Sequence, residues 1–325
     1  MSPGTSECPI TVYGAIAANA VIAVSKFAAG LISGSSAMLS EGIHSVVDTG
    51  NELLLLLGIH RSKKPADELH PFGYGKELYF WSLIVAILLF GLGGGMSIYE
   101  GITHLRHPAV IQNPAWNYVV LGIAFIAEGA SWAIALKKFL EKKRRGRGLW
   151  QALRASKNPA VFVVLAEDSA ALAGILVAFL GVLLGHRLQN PYLDGTASII
   201  IGLILATVAG FLAYESRDLL LGESADADVV QSIRKVAGAD PAVLGVSHPL
   251  TMHFGPEQVL LNLDIEFRPD LSASEITAAV DRLEAGIRRE RPSIKRIFIE
   301  AESLKGQALE SGTSSQASLT ASPGG

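Results

Sequence analysis

His44 and Asp48 stand four residues apart in SEGIHSVVDTGNELLLLLGIH, residues 40–60, a stretch otherwise apolar enough to lie in lipid. On an α-helix that spacing puts both side chains on one face, separated by about 40° in azimuth, and Asn51 continues the face a turn later. An imidazole nitrogen beside a carboxylate oxygen is the start of a tetrahedral site for zinc or a related divalent ion. Two ligands hold a metal weakly, so partners must come from other helices. Adjacent Glu167 and Asp168 in VVLAEDSAALAG, Glu128 in FIAEGASW and Asn19 are the candidates. The competing reading of His44 and Asp48 is a buried hydrogen-bonded pair that only locks two helices. Ionisable groups inside a membrane helix cost roughly 2.5–3.5 kcal/mol each near the bilayer centre, which favours a functional reading. Glu167 points about 100° away from Asp168 and reads either as a ligand or as a proton-handling group beside one. Asn19 reads as a hydrogen bond between helices. Glu41 and Glu52 lie nearer the helix ends and are expected to reach water or loop cations.

The elements that must position these residues are membrane spans. Half of the 325 residues are hydrophobic and only 18% are charged, a composition that argues against an ordinary soluble protein. Apolar windows long enough to cross about 30 Å of hydrocarbon fall at 10–32, 36–59, 78–103, 115–138, 160–185 and 193–215. Six spans put both termini on one side, and the basic loops choose it. The 60–77 connection holds Arg61, Lys63, Lys64 and Lys76, and the 137–159 connection holds nine Lys and Arg, whereas Arg106 and Arg187 are alone in the other loops. The positive-inside rule therefore predicts cytoplasmic termini. The run at 142–147 suits orientation and anionic headgroups better than nucleic acid, and a net charge of −3 gives no support to a nucleic-acid partner. The single cysteine, Cys8, excludes an internal disulfide framework and a cysteine-based metal cluster. No basic segment precedes the first apolar stretch, so no cleaved signal peptide is expected. GLGGGMS, 91–97, reads as close helix packing or a kink.

After Leu221 the composition becomes that of a soluble domain. ADADVVQSIRKVAG predicts a helix and VLGVSHPLTMHF a strand. QVLLNLDIEF alternates strictly, with Val259, Leu261, Leu263, Ile265 and Phe267 on one face of a second strand. Ser272 and Glu275 form a capping box before an amphipathic helix that ends near Arg291, and IKRIFIEAE is a third strand. The expected fold is thus a six-helix membrane domain (10–221) after a short cytoplasmic segment (1–9). A small cytoplasmic α/β domain of order αββαβ (222–304) follows, then a disordered tail (305–325). His248, His253, Asp264, Glu300 and Glu302 are candidate ligands for a second metal in that domain, against the plainer reading of surface residues on strands.

These residues resemble a known family. GSSAMLSEGIHSVVDTGNELLLLLG is similar to the second transmembrane helix of the cation diffusion facilitators, and HPFGYGKELYFWSLI, 70–84, to their signature between helices two and three. The span count and the trailing αββαβ domain fit as well, so the resemblance covers residues 10 to 304. It implies a homodimeric exporter in the cytoplasmic (inner) membrane that exchanges cytoplasmic Zn²⁺ or a similar divalent ion for protons, with no prosthetic group. It also implies a metal site on helices two and five, and a metallochaperone-like C-terminal domain. Family members usually carry His-x-x-x-Asp on helix five; here Asp168 matches the aspartate but Val164 stands where the histidine would be. LAEDSAALAG and TMHFGPEQVLLNLDIEF resemble instead a divergent, zinc-transporter-9-like branch. The fourth ligand is open among Glu128, Glu167 and water. A site with fewer nitrogens leans toward Mn²⁺ or Fe²⁺. Two other function classes compete: an intramembrane metalloenzyme, for which no HExxH or nucleophile–base set is present, and a transport-inactive metal-binding partner subunit.

Overall fold

The computed structural model describes residues 9–108, 114–142 and 157–301. Cys8, Glu302, the tail and the basic residues at 143–154 lie outside them. The chain divides into two units at Leu220/Leu221.

The first unit consists of long helices: α1 (Pro9–Ser33), α2 (Ser36–Ser62), α3 (Glu77–Arg106), α4 (Ala115–Lys142), α5 (Pro159–Arg187) and α6 (Tyr192–Leu221). Among the described residues four of them, α3 to α6, are long and apolar enough to cross a membrane. The described side chains of α1 begin at Asn19, which leaves an apolar stretch of 15 residues, Asn19–Ser33. The 27-residue α2 is interrupted by Glu41, His44, Asp48 and Glu52.

Two residues turn α1 into α2. Gly34, at φ +70°, supplies the left-handed conformation that ends α1, its N–H donating back to the Gly30 carbonyl at 2.8 Å. Ser35 then caps α2, its hydroxyl accepting from the Met38 N–H at 3.2 Å. The GLGGG stretch widens α3 into a π-helical turn over Leu89–Gly95. On one side of it the backbones of α3 and α6 touch. A Cβ on Gly202 would lie 2.8 Å from the Gly94 carbonyl oxygen, and one on Gly101 would lie 2.7 Å from that of Gly195. No larger residue permits this approach.

The 63–76 connection folds on itself. The Asp67 carboxylate accepts from the Tyr74 hydroxyl at 2.6 Å and from the His70 N–H at 2.7 Å, while Gly73 turns the chain at φ +84°. The Tyr74 hydroxyl, with the His70 amide behind it, holds Asp67 below the usual carboxylate range.

The second unit contains α7 (Ala227–Gly238), β1 (Val243–Val246), β2 (Leu250–Gly255), β3 (Gln258–Phe267), α8 (Ala273–Glu290) and β4 (Ile294–Ala301). The expected αββαβ order needs one correction: its first strand comes in two pieces. Both β1 and β2 pair antiparallel with β3, while β4 pairs with it parallel. Between Val246↔Ile265 and Leu250↔Asn262, three residues face two, and Pro249 has no N–H for the ladder. Alternation on β3 buries Val259, Leu261, Leu263 and Ile265 against Ile233 and Ala237 of α7 and Leu283 and Ile287 of α8. The capping box forms as expected, with Ser272 N–H donating to Glu275 Oε2 at 2.7 Å and Glu275 N–H to Ser272 Oγ at 3.4 Å.

Candidate functional site

One face of α2 carries Ser36, Ser40, His44, Asp48 and Asn51, and all but the half-buried Asp48 are buried. His44 Nε2 lies 3.6 Å from Asp48 Oδ2, an ion-pair distance too long for a good hydrogen bond. Both ring nitrogens of His44, Asp48 Oδ1 and Asn51 Oδ1 are shielded from water without a hydrogen-bond partner. Buried polar atoms are normally satisfied, and leaving one bare costs about 1–3 kcal/mol. A nitrogen and two oxygens bare on one helical face form a donor set suited to a divalent cation.

The other candidates converge on this face from α4 and α5. Glu167 turns toward α2, accepting from Asn51 Nδ2 at 2.7 Å. Asp168 turns toward α4, accepting from Ser131 Oγ at 3.2 Å. The divergence expected of these adjacent carboxylates is therefore seen. Trp132 Nε1 donates to Ser169 Oγ at 3.0 Å one residue along, so the α4–α5 pairing is held by two parallel bonds. Glu128 of α4 is within electrostatic reach of His44, Asp48 and Asp168. Among the described residues no three His, Cys, Asp or Glu side chains are close enough together to hold a metal. The structure thus gathers His44, Asp48, Glu128, Glu167 and Asp168 into one neighbourhood as separate pairs.

Asn19 is the inter-helix bond expected, donating to Glu52 Oε1 at 3.0 Å. Glu52, half-buried, thus has a partner on α1 besides the water or loop cations expected for it. The reading of Glu41 is corrected. It is fully buried, and its partner is Lys26 of α1, whose Nζ lies 3.0 Å from Glu41 Oε2. The long lysine stem lets a residue in mid-helix deliver its charge sideways to α2.

Sequence reasoning missed Lys26, although a lone cation in the apolar stretch VIAVSKFAAG is itself the signal. It also missed Asp194 at the start of α6. That buried carboxylate accepts from Ser35 Oγ at 2.6 Å, Ser36 N–H at 2.5 Å and Ala37 N–H at 3.4 Å, with His104 Nε2 3.8 Å away. A residue that close to a span end reads from sequence as interfacial. Between this anchor and His44, the Ser40 and Ser198 hydroxyls bond at 2.5 Å, and Ser198 donates on to the Ser97 carbonyl at 2.8 Å.

In the second unit His248 is exposed in the break between β1 and β2, and His253 is buried on β2 with Nδ1 3.4 Å from the Gly255 carbonyl oxygen. Asp264 accepts from Ser247 Oγ at 3.2 Å and pairs in register with exposed Glu300 on β4. The structure does not gather these into a group.

The model of the cation efflux transmembrane domain family matches residues 12–221, the stretch that builds this neighbourhood. The chain belongs to the cation diffusion facilitator family. Within it, the chain is similar to the proton-coupled zinc antiporter SLC30A9, mitochondrial, of Xenopus laevis: 34% identical over 244 residues, covering 74% of this chain and 44% of the relative. The human protein of that name is 33% identical over 254 residues, covering 78% and 45%. Metal tolerance protein C4 of Arabidopsis thaliana is 31% identical over 243 residues, covering 74% and 53%. The chain therefore spans about half the length of these relatives. It is a member of the SLC30A9 branch of the cation diffusion facilitators, which makes it an integral membrane protein.

Proposed function

We propose that this protein is a secondary transporter that exports a divalent cation from the cytoplasm in exchange for protons, with Zn²⁺ as its principal substrate. His44, Asp48 and Asp168 bind the ion, and Glu128 or Glu167 completes the site. All six long helices cross the membrane, here taken as the cytoplasmic (inner) one, with both termini in the cytoplasm and two copies forming a homodimer. The observation that carries this reading is the His44–Asp48 pair on α2, both imidazole nitrogens and Asp48 Oδ1 shielded and unpartnered, in a chain matched to the cation efflux family. Several of its relatives bear the name of proton-coupled zinc antiporters.

Coupling follows from competition at the same atoms. Imidazole nitrogen and carboxylate oxygens bind a cation only when free of protons, so loading on the less acidic side and protonation on the other drive the exchange. Flux of Zn²⁺, Mn²⁺ and Fe²⁺ into proteoliposomes, with and without a pH gradient, tests the reading. We expect gradient-dependent Zn²⁺ flux that Asp48→Ala and Asp168→Ala each abolish while the protein stays folded. Wild-type flux in either variant would reject this site. Val164, standing where relatives on other branches carry a histidine, favours one second reading, an Mn²⁺ or Fe²⁺ exporter with a site of one imidazole. The same assay separates the two by which ion competes best, and no flux of any ion would leave a transport-inactive metal-binding subunit.

A further inference from the structure

Lys26 is fully buried where α1, α2, α4 and α5 meet. Its ammonium donates to Glu41 Oε2 at 3.0 Å and to Ser45 Oγ at 2.8 Å, and Glu128 Oε1 stands 3.8 Å away. Glu41 is locked in turn: Gly174 of α5 lies against its other oxygen, where a Cβ would collide with it. An ammonium has three protons to donate, and Glu41 and Ser45 take two of them. The third partner is Glu128, held at ion-pair rather than hydrogen-bond distance. Glu128 also lies within electrostatic reach of His44, Asp48 and Asp168, as Lys26 itself does of His44 and Asp48. One carboxylate is thus shared between a resident cation and the three residues assigned to the transported one. It cannot give full Coulomb stabilisation to both.

We propose that Lys26 is a tethered cation that competes with the transported ion for Glu128: it holds Glu128 while the site is unloaded and gives it up when a divalent ion binds. The proposal rests on the ion site assigned above. Lys26 acts through Glu128 and is a positioning residue. Its effect is to weaken binding, which favours release, and Glu41 and Ser45 keep the ammonium from following Glu128 to the ion.

The test is Zn²⁺ affinity of the purified full-length protein at one pH, measured by calorimetry against a competing chelator. In Lys26→Met/Glu41→Gln both partners of the buried pair become neutral, so no lone charge is left inside. This variant should bind Zn²⁺ about tenfold more tightly, the equivalent of about 1.4 kcal/mol from one ion pair that loading no longer breaks. Glu41→Gln alone should weaken binding, because Lys26 then has only Glu128 to neutralise it. Adding Glu128→Gln should erase the gain of the double variant, and Lys26→Arg should stay near wild type. Changes of opposite sign are what a merely structural role would not produce. Equal or weaker affinity in the double variant, or a gain that survives Glu128→Gln, overturns the proposal. If the double variant does not fold, Lys26→Gln is read by the same criteria. Wild-type protein that binds no Zn²⁺, Mn²⁺ or Fe²⁺ overturns the ion site as well, whereas normal wild-type binding with an unchanged double variant overturns the role of Lys26 alone.

Discussion

Replacing Asp194 by asparagine tests what holds α2, and with it His44 and Asp48, in place. The aspartate is fully buried; Oδ1 takes the Ser35 hydroxyl at 2.6 Å, and Oδ2 takes the Ser36 and Ala37 amides at the first turn of α2. Asparagine keeps one oxygen, which is best left on the two amides. Its Nδ2 then faces Ser35 Oγ, and the Ser35 hydroxyl proton is left without its charged acceptor. One hydrogen bond to a charged acceptor is lost, about 1.5–3 kcal/mol. The favourable interaction of a negative charge with a helix N-terminus is lost too, about 0.3–1 kcal/mol. The total is about 2–4 kcal/mol, which for a unit of some 200 residues corresponds to a fall in Tm of roughly 4–16 °C. Tryptophan fluorescence during heating in detergent reads the transition, and Zn²⁺ affinity should weaken with it because His44 lies only two turns from the anchor. A variant that melts within about 1 °C of wild type would refute this reasoning, since the charge would then carry none of the load.

Val164→His supplies a second imidazole one turn before Asp168; we expect Zn²⁺ to gain over Mn²⁺ in competition binding, and an unchanged ratio in folded protein would show that residue 164 does not face the ion. Gly101→Ala places a methyl group 2.7 Å from both the Gly195 carbonyl oxygen and Ile199 Cγ1, so α3 and α6 must separate. Overpacking of this kind costs about 1–3 kcal/mol, visible as a lower melting temperature in detergent. In the second unit the Arg282 guanidinium grips Asp240 with bonds of 2.9 and 3.0 Å and lowers its pKa. A carboxylate lowered on folding adds stability above its unfolded value, near pH 4, and loses it as pH falls through the folded one. Protection of the α8 amides, relative to their intrinsic exchange at each pH, should therefore fall below about pH 4 in wild type, and Asp240→Asn should be less protected at neutral pH with a flatter acid dependence.

Most of the membrane unit was legible because its signals are long. Windows of twenty or more apolar residues located the six long helices of the described residues, with ends within six residues, and period-two alternation found β3. The break at Pro249 was less so, since a proline inside an apparent strand tells of an interruption but not that both pieces stay on one edge of β3. At the site, helical spacing alone placed His44, Asp48 and Asn51 on one face and turned Glu167 away from Asp168. Which helix each side chain would meet was beyond it. Glu41 and Lys26 are neighbours only because of how α1 and α2 pack, and a local reading sends Glu41 to water or a loop cation. Asp194 was hidden for the same reason, its partners lying 157 to 159 residues away in sequence.

The Lys26–Glu41 pair also bears on how the chain enters a membrane. Its two members are fifteen residues apart, joined by a turn of two residues. Both are made before any of α3, since synthesis runs from the N-terminus. Taken singly, each would burden its own helix with an unpaired charge in hydrocarbon. On the six-span topology proposed above, the two together let α1 and α2 leave the translocon as one hairpin in which this pair of charges is already neutralised. Asn19 accommodates Glu52 within the same hairpin, whereas Asp48 waits for the later helices, so the order of synthesis separates charges settled early from one settled late.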